Sequence, residues 1–134
     1  MSSEFPTSDM ELTHILVVSE MEKSKHFYLN ILGAELFREY GGSSCVLKFQ
    51  GAWLLIVTEG GPTKDKPETK FTVPENINSV SHSMTIRVKD CQKSYEILKE
   101  RGAEFLTPPV DWGSEIRCFF RDPDGHLFEI SQSS

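Results

Sequence analysis

After ten mostly polar residues, the first sustained apolar run, Leu12 to Val18, is rich in β-branched side chains and predicts a strand. The period then changes: Met21, Ser24, Phe27/Tyr28 and Ile31/Leu32 recur at helical spacing, and Gly33 supplies the stop. Three short strands are expected next, at about 35–40, 44–49 and 52–58, with Gly41-Gly42 and Gln50-Gly51 as turns. Residues 60–78 carry Gly60-Gly61-Pro62, Pro67 and Pro74 without a period of their own. They read as a long loop, either a hinge between halves or a flap over a site.

The same plan then returns. Met84 to Val88 reads as a strand, Asp90 as the cap of a helix burying Tyr95, Leu98 and part of Ile97, and Gly102 as its stop. Further strands are expected near 103–106, 114–121 and 126–131. The helix ends match closely, Leu32-Gly-Ala-Glu-Leu36 against Arg101-Gly-Ala-Glu-Phe105, at an offset of 69 residues. Val18-Ser-Glu-Met21 matches Val88-Lys-Asp-Cys91 at an offset of 70, so the helices differ by one residue. Two copies of βαβββ imply an α+β architecture of two modules, whose curled mixed sheets surround a cleft with the helices outside. The expected organisation is a loose N-terminal tail at 1–10 and a single domain at 11–134. Within it, module one covers about 11–59, a connecting loop 60–79 and module two about 80–131. Whether the copies pair within one chain or exchange between chains stays open.

Composition narrows the class without choosing a function. A chain of 134 residues, 38% apolar and 25% charged, is one domain's worth with a real core. The net charge of −6 and the lack of a Lys/Arg cluster argue against a nucleic-acid partner. No apolar run approaches the roughly 20 residues of a membrane span, and no secretory signal is apparent, so a cytoplasmic location is expected. Cys45, Cys91 and Cys118 stand apart; Cys45 and Cys118, in apolar segments, read as buried reduced thiols, and Cys91 as the more exposed.

The most informative stretch is Arg121-Asp-Pro-Asp-Gly-His-Leu-Phe-Glu129-Ile, a tight turn feeding a strand with one acid at its centre. If Phe128 and Ile130 pack on a core, Glu129 points the other way. A salt bridge to Arg117 or Arg121, which share one side of the preceding strand, is the structural alternative to a ligand role.

Together with Leu12-Thr-His14, Ser24-x-x-Phe-Tyr-x-x-x-Leu-Gly33, Ala52-Trp-Leu-Leu-Ile56 and Phe120-x-Asp-Pro-Asp-Gly-x-x-x-Glu-Ile130, this ending resembles the vicinal oxygen chelate superfamily, the glyoxalase, bleomycin-resistance and extradiol-dioxygenase group. The resemblance implies metal ligands at His14 and Glu129, with His82 as the third candidate and Glu129 in a catalytic role. Two imidazoles and one carboxylate suit one divalent ion (iron, manganese, nickel or zinc) and leave positions open for a substrate that chelates through adjacent oxygens. That reading is a lyase, isomerase or dioxygenase-type enzyme acting on a small molecule, with a homodimer completing its clefts. Its rival is a metal-free binding or sequestration protein of the bleomycin-resistance kind; a third reading is a structural or regulatory protein with a vestigial cleft.

Each familiar activity lacks a part. Leu54, Leu55, Ile56 and Val57 fill the strand where glyoxalase I carries an acid, with Glu59 too late. Leu16 stands where fosfomycin-modifying members carry a threonine, and ring-cleaving dioxygenases have longer chains with two such domains. Strand parity groups His82 with Met84, Ile86 and Val88, so a regular strand turns it from the cleft unless a bulge intervenes. Trp53, Trp112 and Arg117 are the candidate substrate-binding residues: aromatic walls grip a planar or apolar ligand, and an arginine orients an anion. His26 reads as solvent-exposed and His126 as a structural residue of the final turn.

Overall fold

The computed structural model describes residues 4–133, so the first three residues of the expected tail lie outside the described ones. Residues 4–12 precede the first strand and join neither sheet. The first half runs β1 (Thr13–Val18), α1 (Met21–His26), β2 (Glu35–Tyr40), β3 (Ser44–Phe49) and β4 (Ala52–Thr58). The second runs β5 (Met84–Arg87), α2 (Cys91–Arg101), β6 (Glu104–Phe105), β7 (Val110–Asp111), β8 (Glu115–Arg121) and β9 (Leu127–Ser133). α1 continues as a π-helix over Phe27–Leu32. Gly33 closes it at φ +90°, and the Ala34 N–H bonds the Tyr28 carbonyl at 2.8 Å. The wider turn buries adjacent pairs, Phe27 with Tyr28 and Ile31 with Leu32, which a 3.6-residue period does not do so evenly.

The sheets repeat one topology. The first has the order β1-β4-β3-β2 and the second β5-β9-β8-β6, with β1 parallel to β4, β5 parallel to β9, and β7 pairing beside β8. Neither sheet is closed or strongly curled, which corrects the expected curled sheets around a cleft. Among the described residues β1 pairs only with β4 and β5 only with β9, so no ladder there joins the modules. Closure needs about eight tilted strands, and sheets of four and five short ones stay open.

One core serves both modules. Leu16, Val18, Cys45, Leu47, Leu54 and Ile56 from the first sheet and Cys118, Phe120, Phe128 and Ile130 from the second lie in one buried cluster with helix residues Phe27, Tyr28, Cys91, Tyr95 and Leu98. Phe27 of the first half lies 6.3 Å, ring centre to ring centre, from both Phe120 and Phe128 of the second. Asp90 caps α2 by accepting from the Lys93 N–H at 3.0 Å, as the sequence suggests. Cys91 departs from expectation: it is as buried as the other two thiols. As the first residue of α2 it faces β9, donating its thiol to the Ile130 carbonyl at 3.7 Å, while its N–H bonds Gln132 Oε1 at 2.8 Å. Among the described residues no helix is long and apolar enough to cross a membrane.

Candidate functional site

Strand register decides where each candidate points. β1 pairs with β4 so that His14 lies beside Leu54 and Leu16 beside Ile56. Leu54, Leu16, Ile56 and Val18 are all core, so His14, half-buried, is on the helix-facing side of its sheet. Thr13 and Ile15 occupy the other side with Trp53 and Leu55. In the second sheet the buried face is Phe128, Ile130, Cys118 and Phe120, and Glu129 stands on the open face between its register partners Thr85 and Phe119.

Glu129 is already engaged. Thr85 Oγ1 donates to its Oε1 at 2.6 Å, and Arg117 Nε lies 3.7 Å from its Oε2. Arg117 also donates from Nη1 to Glu115 Oε1 at 3.0 Å. Arg87 Nη1 reaches Ser131 Oγ at 2.8 Å and lies 3.5 Å from Glu115 Oε2, while the Ser131 hydroxyl donates to that same carboxylate. The Ser131 hydrogen bond, helped by Arg117 and Arg87, holds Glu115 below the usual carboxylate range. Trp112, in the turn after β7, packs over the Arg117 guanidinium at 5.3 Å from its ring centre, and the Phe119 ring centre lies 6.0 Å away. The open face of the second sheet is thus a charge-balanced polar lattice edged by an exposed indole.

The open face of the first sheet is apolar. Ile15, Val46, Leu55 and Val57 share it with Trp53, which meets Phe37 edge-on at 5.0 Å and carries Lys48 Nζ 4.9 Å above its ring. Ile15 and Phe37 are 48% and 59% exposed, large values for side chains of this size. The Trp53 indole N–H is buried with no hydrogen-bond partner among the described residues.

His82 lies two residues before β5, exposed, and its ring stacks on His14 with centres 5.4 Å apart. The two imidazoles therefore meet at the junction of the modules, away from Glu129's lattice. Among the described residues no three His, Cys, Asp or Glu side chains are grouped to hold a metal ion. The implied donors are not assembled around one point among these residues: His14 is on the helix-facing side of its sheet, His82 lies before β5, and Glu129 has Thr85 and Arg117 as partners on the open face of the second sheet.

The Asp-Pro-Asp-Gly turn links the modules. Asp122, 5% exposed, accepts from Tyr28 Oη at 2.7 Å and from the N–H groups of Asp124 and His126 at 2.9 and 2.8 Å. Asp124 accepts from the Ser19 hydroxyl at 2.6 Å and its N–H at 3.1 Å. His126 Nε2 lies 2.7 Å from the Val17 carbonyl, which can only accept, so that nitrogen carries the proton. Burial raises the Asp122 carboxyl above its usual range and the Tyr28 phenol well above its own, the adjacent Asp122 charge adding to the latter. Arg121 donates to the carbonyls of Ile77 and Gly125 at 2.7 and 3.2 Å, fastening the connecting loop to the turn. A half-open cavity of about 640 Å³ lies between that loop, β1 and the turn, with His82 at its wall. A second, of about 660 Å³, lies on the helix side, between α1 and the turn. Neither is lined by Glu129 or Arg117.

Sequence reasoning missed Glu115, Thr85 and Ser131 as members of the polar lattice. Alternation along β8 was the available signal, since Glu115 shares its side with Arg117 and Phe119.

Residues 11–130 match the family model described as glyoxalase/bleomycin resistance protein/dioxygenase superfamily. Metallothiol transferase FosB of Lysinibacillus sphaericus is 32% identical over 89% of this chain and 79% of its own length. A lactoylglutathione lyase of Neisseria meningitidis is 28% identical over 92% of this chain and 91% of its own. Among solved structures, a glyoxalase/bleomycin resistance protein/dioxygenase from Nocardioides superposes with a TM-score of 0.70 at 22% identity, covering 92% of this chain and 83% of the other. TnmS3, an antibiotic binding protein from Streptomyces sp. CB03234, superposes with a TM-score of 0.67 at 20% identity, covering 96% of this chain and 98% of the other.

Proposed function

Because the chain belongs to the glyoxalase/bleomycin resistance protein/dioxygenase superfamily, whose members include enzymes and binding proteins alike, we propose that its own function is metal-free binding of a small molecule rather than metal-centred turnover. One observation carries this reading: His14 lies on the helix side of its sheet, while Glu129, on the opposite side of its own, is hydrogen-bonded to Thr85 and ion-paired with Arg117. Each oxygen of that carboxylate already has a protein partner, a hydroxyl on one and a guanidinium facing the other, and its charge is balanced without a metal. The open faces supply what a binding protein needs instead, an apolar aromatic wall around Trp53 and Phe37 and a polar one around Arg117. In this reading the protein is a homodimer, with a second copy covering the exposed face of Ile15 and Phe37.

Metal content tests it. Protein purified without chelator, then incubated with iron(II), manganese(II), nickel(II) or zinc(II) and desalted, is expected to hold no stoichiometric ion by mass spectrometry. One ion per chain, lost in both His14→Ala and Glu129→Ala, overturns the proposal in favour of the metalloenzyme.

A further inference from the structure

We infer that the open face of the second sheet is a subsite for a planar, uncharged, carbonyl-bearing ligand, with Arg117 as the donor, Trp112 as the platform and Glu129 as the residue that positions Arg117. The inference rests on the metal-free binding reading and names the ligand class.

The guanidinium of Arg117 is held from two sides. Its Nη1 donates to Glu115 at 3.0 Å and its Nε lies 3.7 Å from Glu129. Nη2 makes no hydrogen bond among the described residues, so the oriented group keeps a free N–H edge. Side-chain exposure falls from 38% at Arg117 to 13% at Glu129, so the acid lies beneath and the donor above. Glu129 is in turn fixed by the Thr85 hydroxyl at 2.6 Å, which leaves little freedom in the chain Thr85–Glu129–Arg117.

Charge selects the ligand class. Arg87 and Arg117 face Glu115 and Glu129, two cations against two anions, so this face presents no net positive field. An anion drawn to Arg117 would sit beside two carboxylates that already neutralise it. A carbonyl oxygen needs only the free N–H edge and carries no charge to be repelled. Shape selects the rest. Trp112 is 63% exposed and rests on Arg117 with its ring 5.3 Å away, so the indole is a flat surface backed on one side by the cation and open on the other.

The probes are 9-fluorenone, fluorene, which lacks only the carbonyl oxygen, and fluorene-9-carboxylate, each measured by equilibrium dialysis against the intact chain. Fluorenone is expected to bind about tenfold more tightly than fluorene, the worth of one hydrogen bond from a charged donor. Arg117→Met is expected to bring the ratio near one, and Glu129→Leu to do the same without touching the ligand. Glu129→Gln, which keeps the size and an oxygen facing Nε but not the charge, retains part of the preference. Trp112→Ala weakens both neutral ligands alike. Each ratio compares two ligands on one protein, so a general loss of folded protein does not move it. Equal binding of fluorenone and fluorene by the parent chain, an unchanged ratio in Arg117→Met, or tighter binding of the carboxylate overturns the inference. So does failure of all three to bind; the binding reading survives that result when other apolar compounds stabilise the chain and no stoichiometric metal is found.

Discussion

Tyr28 and Asp122 stand 94 residues apart in sequence, yet the phenol donates to the carboxylate at 2.7 Å inside the core shared by the two modules. Tyr28 is fully buried, and its hydroxyl is the side-chain donor to Oδ2, the other oxygen being held by two backbone N–H groups. Tyr28→Phe removes that donor and leaves a buried lone pair unsatisfied. The expected loss is roughly 1–3 kcal/mol of unfolding free energy, read from urea denaturation. A midpoint equal to that of the parent would show that this bond does not stabilise the packing of the modules.

The same carboxylate gives a pH dependence. Burial raises the folded Asp122 pKa, so the native state holds its proton where the unfolded chain has lost it. That contribution is fully present below the unfolded value and is lost as pH rises through the folded one, a window that opens at about pH 4. Glu115 has the opposite sign, its stabilisation being lost as pH falls through its depressed value. Comparing parent with Asp122→Asn isolates the first effect: the stability difference is expected to move in favour of the variant from about pH 4 upward and then level off. A difference that does not change with pH contradicts the assignment.

Gly125 is required twice over. Its φ is +95°, and a Cβ there would lie 2.2 Å from Ile77 Cγ2 in the connecting loop. Gly125→Ala is therefore expected to cost more than the roughly 1–2 kcal/mol of a left-handed non-glycine residue, because the loop must also move. Limited proteolysis should show faster cleavage within residues 60–80 in the variant. Stability and cleavage rate unchanged from the parent would mean that the loop yields at no cost.

Cys45, Cys91 and Cys118 are buried, and burial pushes the Cys118 thiol up to about 12. Thiolate is the reactive form, so native protein at about pH 8 is expected to react slowly with a disulfide reagent, and all three thiols quickly once denatured. Rapid release from the native state would show that the core opens.

Period and punctuation made the strand and helix order legible, and the doubled motifs exposed the repeated topology. The finer geometry was hidden for identifiable reasons. Leu12 to Val18 is apolar on both faces, so parity alone did not assign His14 to the helix side; that followed from its pairing beside Leu54. The regular recurrence from Met21 to Leu32 gave no sign of the π-helix, which needs the i→i+5 spacing itself. Two-residue β7 is too short to show a period, so the strand preceding Trp112 was not expected, although Trp112 itself lies in a turn as the sequence suggests. Curling of the sheets was inferred from the architecture and not from any residue, and the free edges at β1 and β5 correct it. Arg117 was visible as a partner for Glu129 because both fall on one side of adjacent strands.

The Asp-Pro-Asp-Gly-His turn spends its side chains on Tyr28, Ser19 and Val17, all in the other half of the chain. A segment used as a fastener is indifferent to what happens across the sheet from it. The side chains of the open face can change while the fastener reads the same. The motif that most readily reveals kinship is therefore the part of the molecule with the least to say about chemistry.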